Sequence, residues 1–223
     1  MGPMLTISHR TKGGDSAYSV KVPQFGLGVF LAPADGTCKK ACLFALKEGY
    51  RHIDTAAVYR NEEDVGDAIA ESNLDRSELF ITTKLRRVDA LGYQETLDRC
   101  DESLQKLGLD FVDLYLVHAP PENKSCRGDV WRAMEEILES GRARSIGVSN
   151  YGAHHLEELL ENSKYGPSVN QIEIHLWLQR PNLIEATRNA GAVPMAYSPL
   201  ARGQKVNDEK LFSLSKELGV TPA

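Results

Sequence analysis

Residues 49–62 read GYRHIDTAAVYRNE, which combines a helix end, a short strand and a loop with two ionisable groups. Gly49 accepts a left-handed backbone without a Cβ clash, as suits the position just past a helix. Residues 50–53 then form a brief buried strand. Asp54 falls where that strand should stop, and Tyr59 lies near the entrance of the next helix. Taken alone, an aspartate in this place more often caps a helix or pins a turn. The rest of the chain decides which role it has.

Working outward, one unit repeats: a helical segment ends in glycine and a β-prone run follows at once. The helix over 37–48 leads through Gly49 to Asp54, and a second, with Val65 and Ile69 inward, leads to LFITTK at 79–84. A third carries Leu97, Cys100, Leu104 and Leu107 at helical spacing, stops at Gly108 and leads to FVDLYLVH at 111–118. A fourth (Val130, Met134, Ile137, Leu138) ends at Gly141 before ARSIGVSN, and a fifth (Leu156, Leu159, Leu160) precedes SVNQIEIH. A sixth opens with Pro181 in its first turn and leads to AVPMAYSPL, and a seventh carries Leu211, Leu214 and Leu218. Upstream, FGLGVF at 25–30 reads as the first strand, and a β-hairpin is expected over residues 5–22, turned at TKGGD. Strand starts about 24 to 33 residues apart are the size of one βαβ unit. Such alternation implies a parallel sheet, and seven strands in one domain favour a closed barrel. No G-x-G-x-x-G follows the first strand, which counts against a dinucleotide-binding Rossmann domain.

Composition narrows the function classes. With 42% apolar and 26% charged residues, the chain has the make-up of an ordinary globular domain. A formal charge of −5 and the lack of a basic run argue against a nucleic-acid partner. Nothing approaches the ~18 consecutive apolar residues of a membrane span, and MGPMLTISHR lacks a signal-peptide core. Cys38, Cys42, Cys100 and Cys126 are read as reduced thiols of a cytoplasmic protein, mostly packing residues. Cys38 and Cys42 share a helix face, but no third ligand completes a metal set, so no metal is expected.

Functional groups of a parallel barrel gather at the carboxyl ends of its strands. The residues found there are Asp54, Lys84, His118, Ser149 with Asn150, Gln171 with His175, and Tyr197 with Ser198. A phenol with an ordinary pKa near ~10 needs a nearby cation to exchange its proton at neutral pH. Lys84 can supply that cation for Tyr59, Asp54 can hold Lys84 in place, and His118 can bond a carbonyl oxygen. The set suits protonation of an oxygen that gains negative charge as hydride reaches its carbon.

Those motifs, with FGLGVF, FITTK, DLYLVHAP, GRARSIGVSN, NQIEIH and MAYSPL in this order, resemble the aldo-keto reductase superfamily. The resemblance runs from about residue 23 to the last. It implies a (β/α)8 TIM barrel and NADP(H)-dependent reduction of an aldehyde or ketone to an alcohol. It implies Tyr59 as the proton donor, with Asp54, Lys84 and His118 completing the catalytic set. It also implies that Ser149, Asn150 and Gln171 bond the nicotinamide carboxamide. Tyr197 would stack on the ring, and Ser198 and Leu200 would join the cofactor set.

Three departures bear on the substrate pocket: Phe30 where tryptophan is frequent, Arg86 where an aromatic is frequent, and Ala119 after the histidine. Together they imply a roomier pocket, with Arg86 favouring an anionic substrate group. A fourth is that the eighth strand, the final helix and the basic segment that holds the 2′-phosphate are not found before residue 223. Residues 1–223 are therefore expected to form one incomplete barrel domain, weak in cofactor binding. It would be a monomer open to dimerisation or aggregation through its seam. Two alternatives remain open at this stage: a catalytically impaired cofactor-binding or scaffold protein, and a Schiff-base aldolase using Lys84.

Overall fold

The computed structural model describes residues 2–86, 92–205 and 207–222. Two antiparallel strands, β1 (Met4–Arg10) and β2 (Ser16–Pro23), form the expected hairpin, with a bulge between Ile7 and His9. Seven parallel strands follow, each separated from the next by helix: β3 (Leu27–Gly28), β4 (His52–Asp54), β5 (Phe80–Leu85), β6 (Leu114–Val117), β7 (Ile146–Ser149), β8 (Val169–Glu173) and β9 (Val193–Tyr197). They pair in sequence order, β3-β4-β5-β6-β7-β8-β9. The helices are α1 (Thr37–Lys47), α2 (Glu62–Glu71), α3 (Tyr93–Leu107), α4 (Lys124–Glu139), α5 (Ala153–Asn162), α6 (Pro181–Asn189) and α7 (Glu209–Leu218). This is a βα barrel of seven parallel strands, open between β3 and β9 among the described residues.

A parallel strand is covered on both faces and therefore reads as a continuous apolar run. All of β5, β6 and β7 is buried. The period-2 alternation of a strand divides these residues between two cores. Ile53, Ile81, Tyr115, Val117 and Ile146 face outward, where they join Val65 of α2, Leu104 of α3 and Met134 of α4. Phe80, Leu114, Leu116 and Val169 face the barrel axis, where the hairpin residues Ile7, Val20 and Val22 complete a second cluster. The hairpin is thus a plug. His9 fixes it, with Nδ1 against Gly166 O at 2.8 Å and Nε2 against Ser145 Oγ at 3.2 Å.

Helix ends follow their local chemistry. Gly108 closes α3 at φ 64, and Pro181 opens α6 at its first turn. Gly66 serves contact instead: a Cβ there would stand 2.4 Å from Leu107 O, where α2 packs on α3. Alanine gains about 1 kcal/mol of helix propensity over glycine, but a backbone carbonyl cannot give way. Gly66→Ala is therefore expected to lose about 2 kcal/mol net, read as a lower urea midpoint.

Burial holds His9 neutral and lowers its pKa from 6.5 to about 4. The unfolded chain takes up that proton below pH 6.5, whereas the folded chain waits until about pH 4, so stability falls with pH through this window. The contribution reaches about 3 kcal/mol at the acid end. Urea midpoints measured between pH 7 and pH 4 should drop, and His9→Gln should flatten the slope. His118, shifted the same way, retains part of it.

Two expectations needed adjustment. FGLGVF shrinks to the two-residue β3, because Phe25 and Phe30 are 71% and 50% exposed and border a cleft rather than a core. In α7 only Ser215 is buried, and Leu214 and Leu218 stay 46% and 62% exposed.

Candidate active site

Alternation along β5 turns Phe80, Thr82 and Lys84 toward the barrel axis in successive layers, with Lys84 uppermost. Its side chain is 1% exposed. The ammonium donates to the Asp54 carboxylate, at the end of β4, and to Thr55 O at 2.8 Å. The other oxygen of Asp54 accepts from Gln171 Nε2 at 2.7 Å. A buried ion pair needs such additional partners to offset its desolvation.

Tyr59 ends a short 3-10 turn, Ala57–Tyr59, that brings its ring over this pair. Lys84 Nζ lies 5.1 Å from the ring centroid, within cation–π range. The His118 ring meets it edge-on at 5.5 Å and 77°, and Phe30 lies 5.0 Å away. The four residues expected to act together are therefore one cluster. The electrostatics differ from the expectation that Lys84 makes the phenol acidic. Burial, followed by the charge of Asp54 and then Tyr197, pushes the Tyr59 phenol upward, and Arg202 opposes the shift. Lys84 meets the ring face rather than being the group that sets this shift. The phenol is consequently protonated at neutral pH. Burial and the Lys84 charge lower His118 to about 4, against Asp54, so its imidazole is neutral.

A cleft of about 830 Å³ opens above this cluster and runs along the β3–β9 seam. Its polar wall is Ser149, Asn150, Gln171, Tyr197 and Ser198. Ser149 Oγ donates to Gln171 O at 2.8 Å, Asn150 Nδ2 donates to His118 O and Ser149 Oγ at 3.0 Å each, and Tyr197 OH donates to Asn150 Oδ1 at 3.0 Å. Phe30 lines the cleft as expected of a pocket residue. Arg86, Ala119 and Leu200 are not among its lining residues. For Arg86 the reason is that β5 stops at Leu85, after which the side chain is exposed. Leu200 is 52% exposed. Lys84 also lies behind the lining, held by Asp54, out of direct reach of a ligand. That position opposes a Schiff-base role, which requires the amine to meet the substrate carbonyl.

The aldo/keto reductase family model matches residues 33–215. The chain belongs to the aldo/keto reductase family. Among the relatives of this aldo/keto reductase, the glyoxal reductase of Bacillus subtilis is 44% identical over 198 residues, spanning 89% of this chain and 71% of that protein. The morphine 6-dehydrogenase of Pseudomonas putida is 47% identical over 189 residues, spanning 85% of this chain and 62% of that protein. Among solved structures, the Bombyx mori aldo-keto reductase in complex with NADP superposes with a TM-score of 0.84 at 34% identity, covering 100% of this chain and 78% of that one.

Some residues of the aldo/keto reductase site were not anticipated. Asn61, 1% exposed, accepts from Thr55 Oγ1 at 2.8 Å and donates to Val29 O and Ala32 O at 2.9 and 3.1 Å, tying the β3–α1 loop to the connection that carries Tyr59. Its place before an acidic helix start suggests an N-cap, yet its side chain makes no cap bond to α2. Met195 of β9 lies beneath Gln171, with Nε2 to Sδ at 3.4 Å. Arg202 also borders the cleft, and no motif in the sequence signals it.

Proposed function

We propose that the chain is an NADP(H)-dependent carbonyl reductase that converts an aldehyde or ketone to an alcohol, with Tyr59 as proton donor. The observation that carries this reading is the Tyr59 ring at the cleft surface, with an ammonium against its face and a neutral imidazole at its edge. The NADP-bound silkworm relative supports the choice of cofactor. The glyoxal- and morphine-acting relatives support a carbonyl/alcohol substrate pair, without favouring a size.

The residues fit a nicotinamide amide, which needs both donors and acceptors: Ser149, Asn150 and Gln171 offer both, and Tyr197 offers a flat ring. When bound, the reduced nicotinamide supplies the hydride. The protein's part is the proton. Tyr59 OH gives it to the carbonyl oxygen as negative charge builds there, and the resulting phenolate is stabilised by the Lys84 ammonium. Neutral His118 donates a hydrogen bond to the same oxygen and orients it. Solvent then returns a proton to Tyr59. Asp54 and Gln171 act through Lys84 as positioning residues.

The test is NADPH consumption by the purified chain with a panel of short aldehydes, run in parallel with NADH. Aldehyde-dependent loss of NADPH absorbance, faster than that of NADH, is the expected result. Tight NADPH binding without consumption of any aldehyde would favour a cofactor-binding protein without turnover instead.

A further inference from the structure

The charges lining the cleft are unevenly compensated. Only Asp54 and Arg202 among its lining residues carry a formal charge, since His118 and His52 are both held toward the neutral form by burial. Asp54 is answered by Lys84. Arg202 has no carboxylate partner among the described residues. Its guanidinium lies 5.6 Å from the centroid of the Phe30 ring, and that ring lies 5.0 Å from Tyr59. The backbone that carries it is strained: Ser198, Ala201 and Arg202 all have positive φ, at 49°, 49° and 52°. Non-glycine residues avoid this region, and such strain collects where a side chain must be aimed. A guanidinium stacked on one aromatic face keeps its edge free, and that edge carries donors in a fork that matches carboxylate or phosphate oxygens.

We infer that Arg202 is the cleft's anion anchor, holding an anionic oxygen group of a ligand at the seam side of Phe30 and Tyr59. This role replaces the one the sequence suggested for Arg86, and it rests on the reductase reading of the same cleft. Two ligands bring that chemistry: a carbonyl substrate bearing a carboxylate, and a phosphate of the dinucleotide. Geometry favours the substrate, because Arg202 sits over Phe30, whose ring in turn lies against that of the proton donor.

The experiment compares wild type, Arg202→Gln and Arg202→Lys. Succinic semialdehyde and butanal, alike in chain length and differing in the carboxylate, serve as substrates, and NADPH binding is measured separately by fluorescence. In Arg202→Gln the kcat/KM ratio of succinic semialdehyde to butanal should fall roughly tenfold to a hundredfold, as expected for a lost charge-assisted contact. Arg202→Lys should recover part of it, and the wild-type preference should weaken with added salt. If the ratio holds while the Kd for NADPH rises by a comparable factor, the anchored anion is a phosphate of the dinucleotide. If neither quantity moves, the inference is wrong. Should the wild type consume no NADPH at all, calorimetric binding of succinate and of NADPH to the same three proteins still decides the anchor. The carbonyl-reductase reading would then fail separately.

Discussion

Tyr59→Phe is expected to lower kcat by about a hundred- to ten-thousandfold, the range supplied by a positioned general acid. The substitution isolates the proton. The Tyr59 hydroxyl makes no hydrogen bond to the protein among the described residues, so phenylalanine keeps the contacts with Phe30, His118 and the Lys84 ammonium. Thermal stability and NADPH affinity should therefore stay close to wild type while turnover disappears. Because the phenol titrates above its ordinary range in the unliganded protein, activity should not be lost through Tyr59 ionisation on the alkaline side until well past neutrality. A Tyr59→Phe protein with wild-type kcat would refute the assignment.

Lys84→Met is the second large effect, and it acts on stability as well as turnover. Removing one partner of a buried pair leaves the other uncompensated and typically costs about 3–5 kcal/mol. Here the Asp54 carboxylate would retain only the Gln171 amide, and Thr55 O would lose its donor. Asp54→Asn in the same chain removes the stranded charge, so the double variant should regain much of the lost stability. It should regain no activity, because the ammonium that stabilises the phenolate is still absent. Urea unfolding of both single variants and the double variant measures the coupling. A Lys84→Met protein within about 1 kcal/mol of wild type would mean that the pair behaves like a solvated surface bridge.

The barrel was legible because parallel strands and their covering helices write themselves as apolar runs and helical spacings punctuated by glycine. Leu97, Cys100, Leu104 and Leu107 are buried on one face of α3 as their spacing demands. Asp54, Lys84 and His118 were legible as a group because each ends an apolar run at the carboxyl end of a strand, and Tyr59 follows in the connection after Asp54. What stayed hidden depends on surroundings that local sequence does not encode. Whether Lys84 meets the Tyr59 hydroxyl or its ring face depends on a three-residue turn, and the upward shift of the phenol depends on burial. Arg86 and Arg202 look alike as exposed arginines in sequence. Only the end of β5 and the strained loop after β9 separate the one outside the cleft from the one at its edge. Asn61 was hidden by its own resemblance to an N-cap.

The polar wall of the cleft is internally linked: Ser149, Asn150, Gln171 and Tyr197 already bond one another or the site around them. A guest amide must therefore match donors and acceptors whose directions those bonds already set. The same arrangement makes the wall a strict gatekeeper. A guest of the wrong hydrogen-bonding pattern would have to separate these groups, breaking bonds that it cannot replace. Discrimination between look-alike rings, more than tightness of grip, is what this wall is built to deliver.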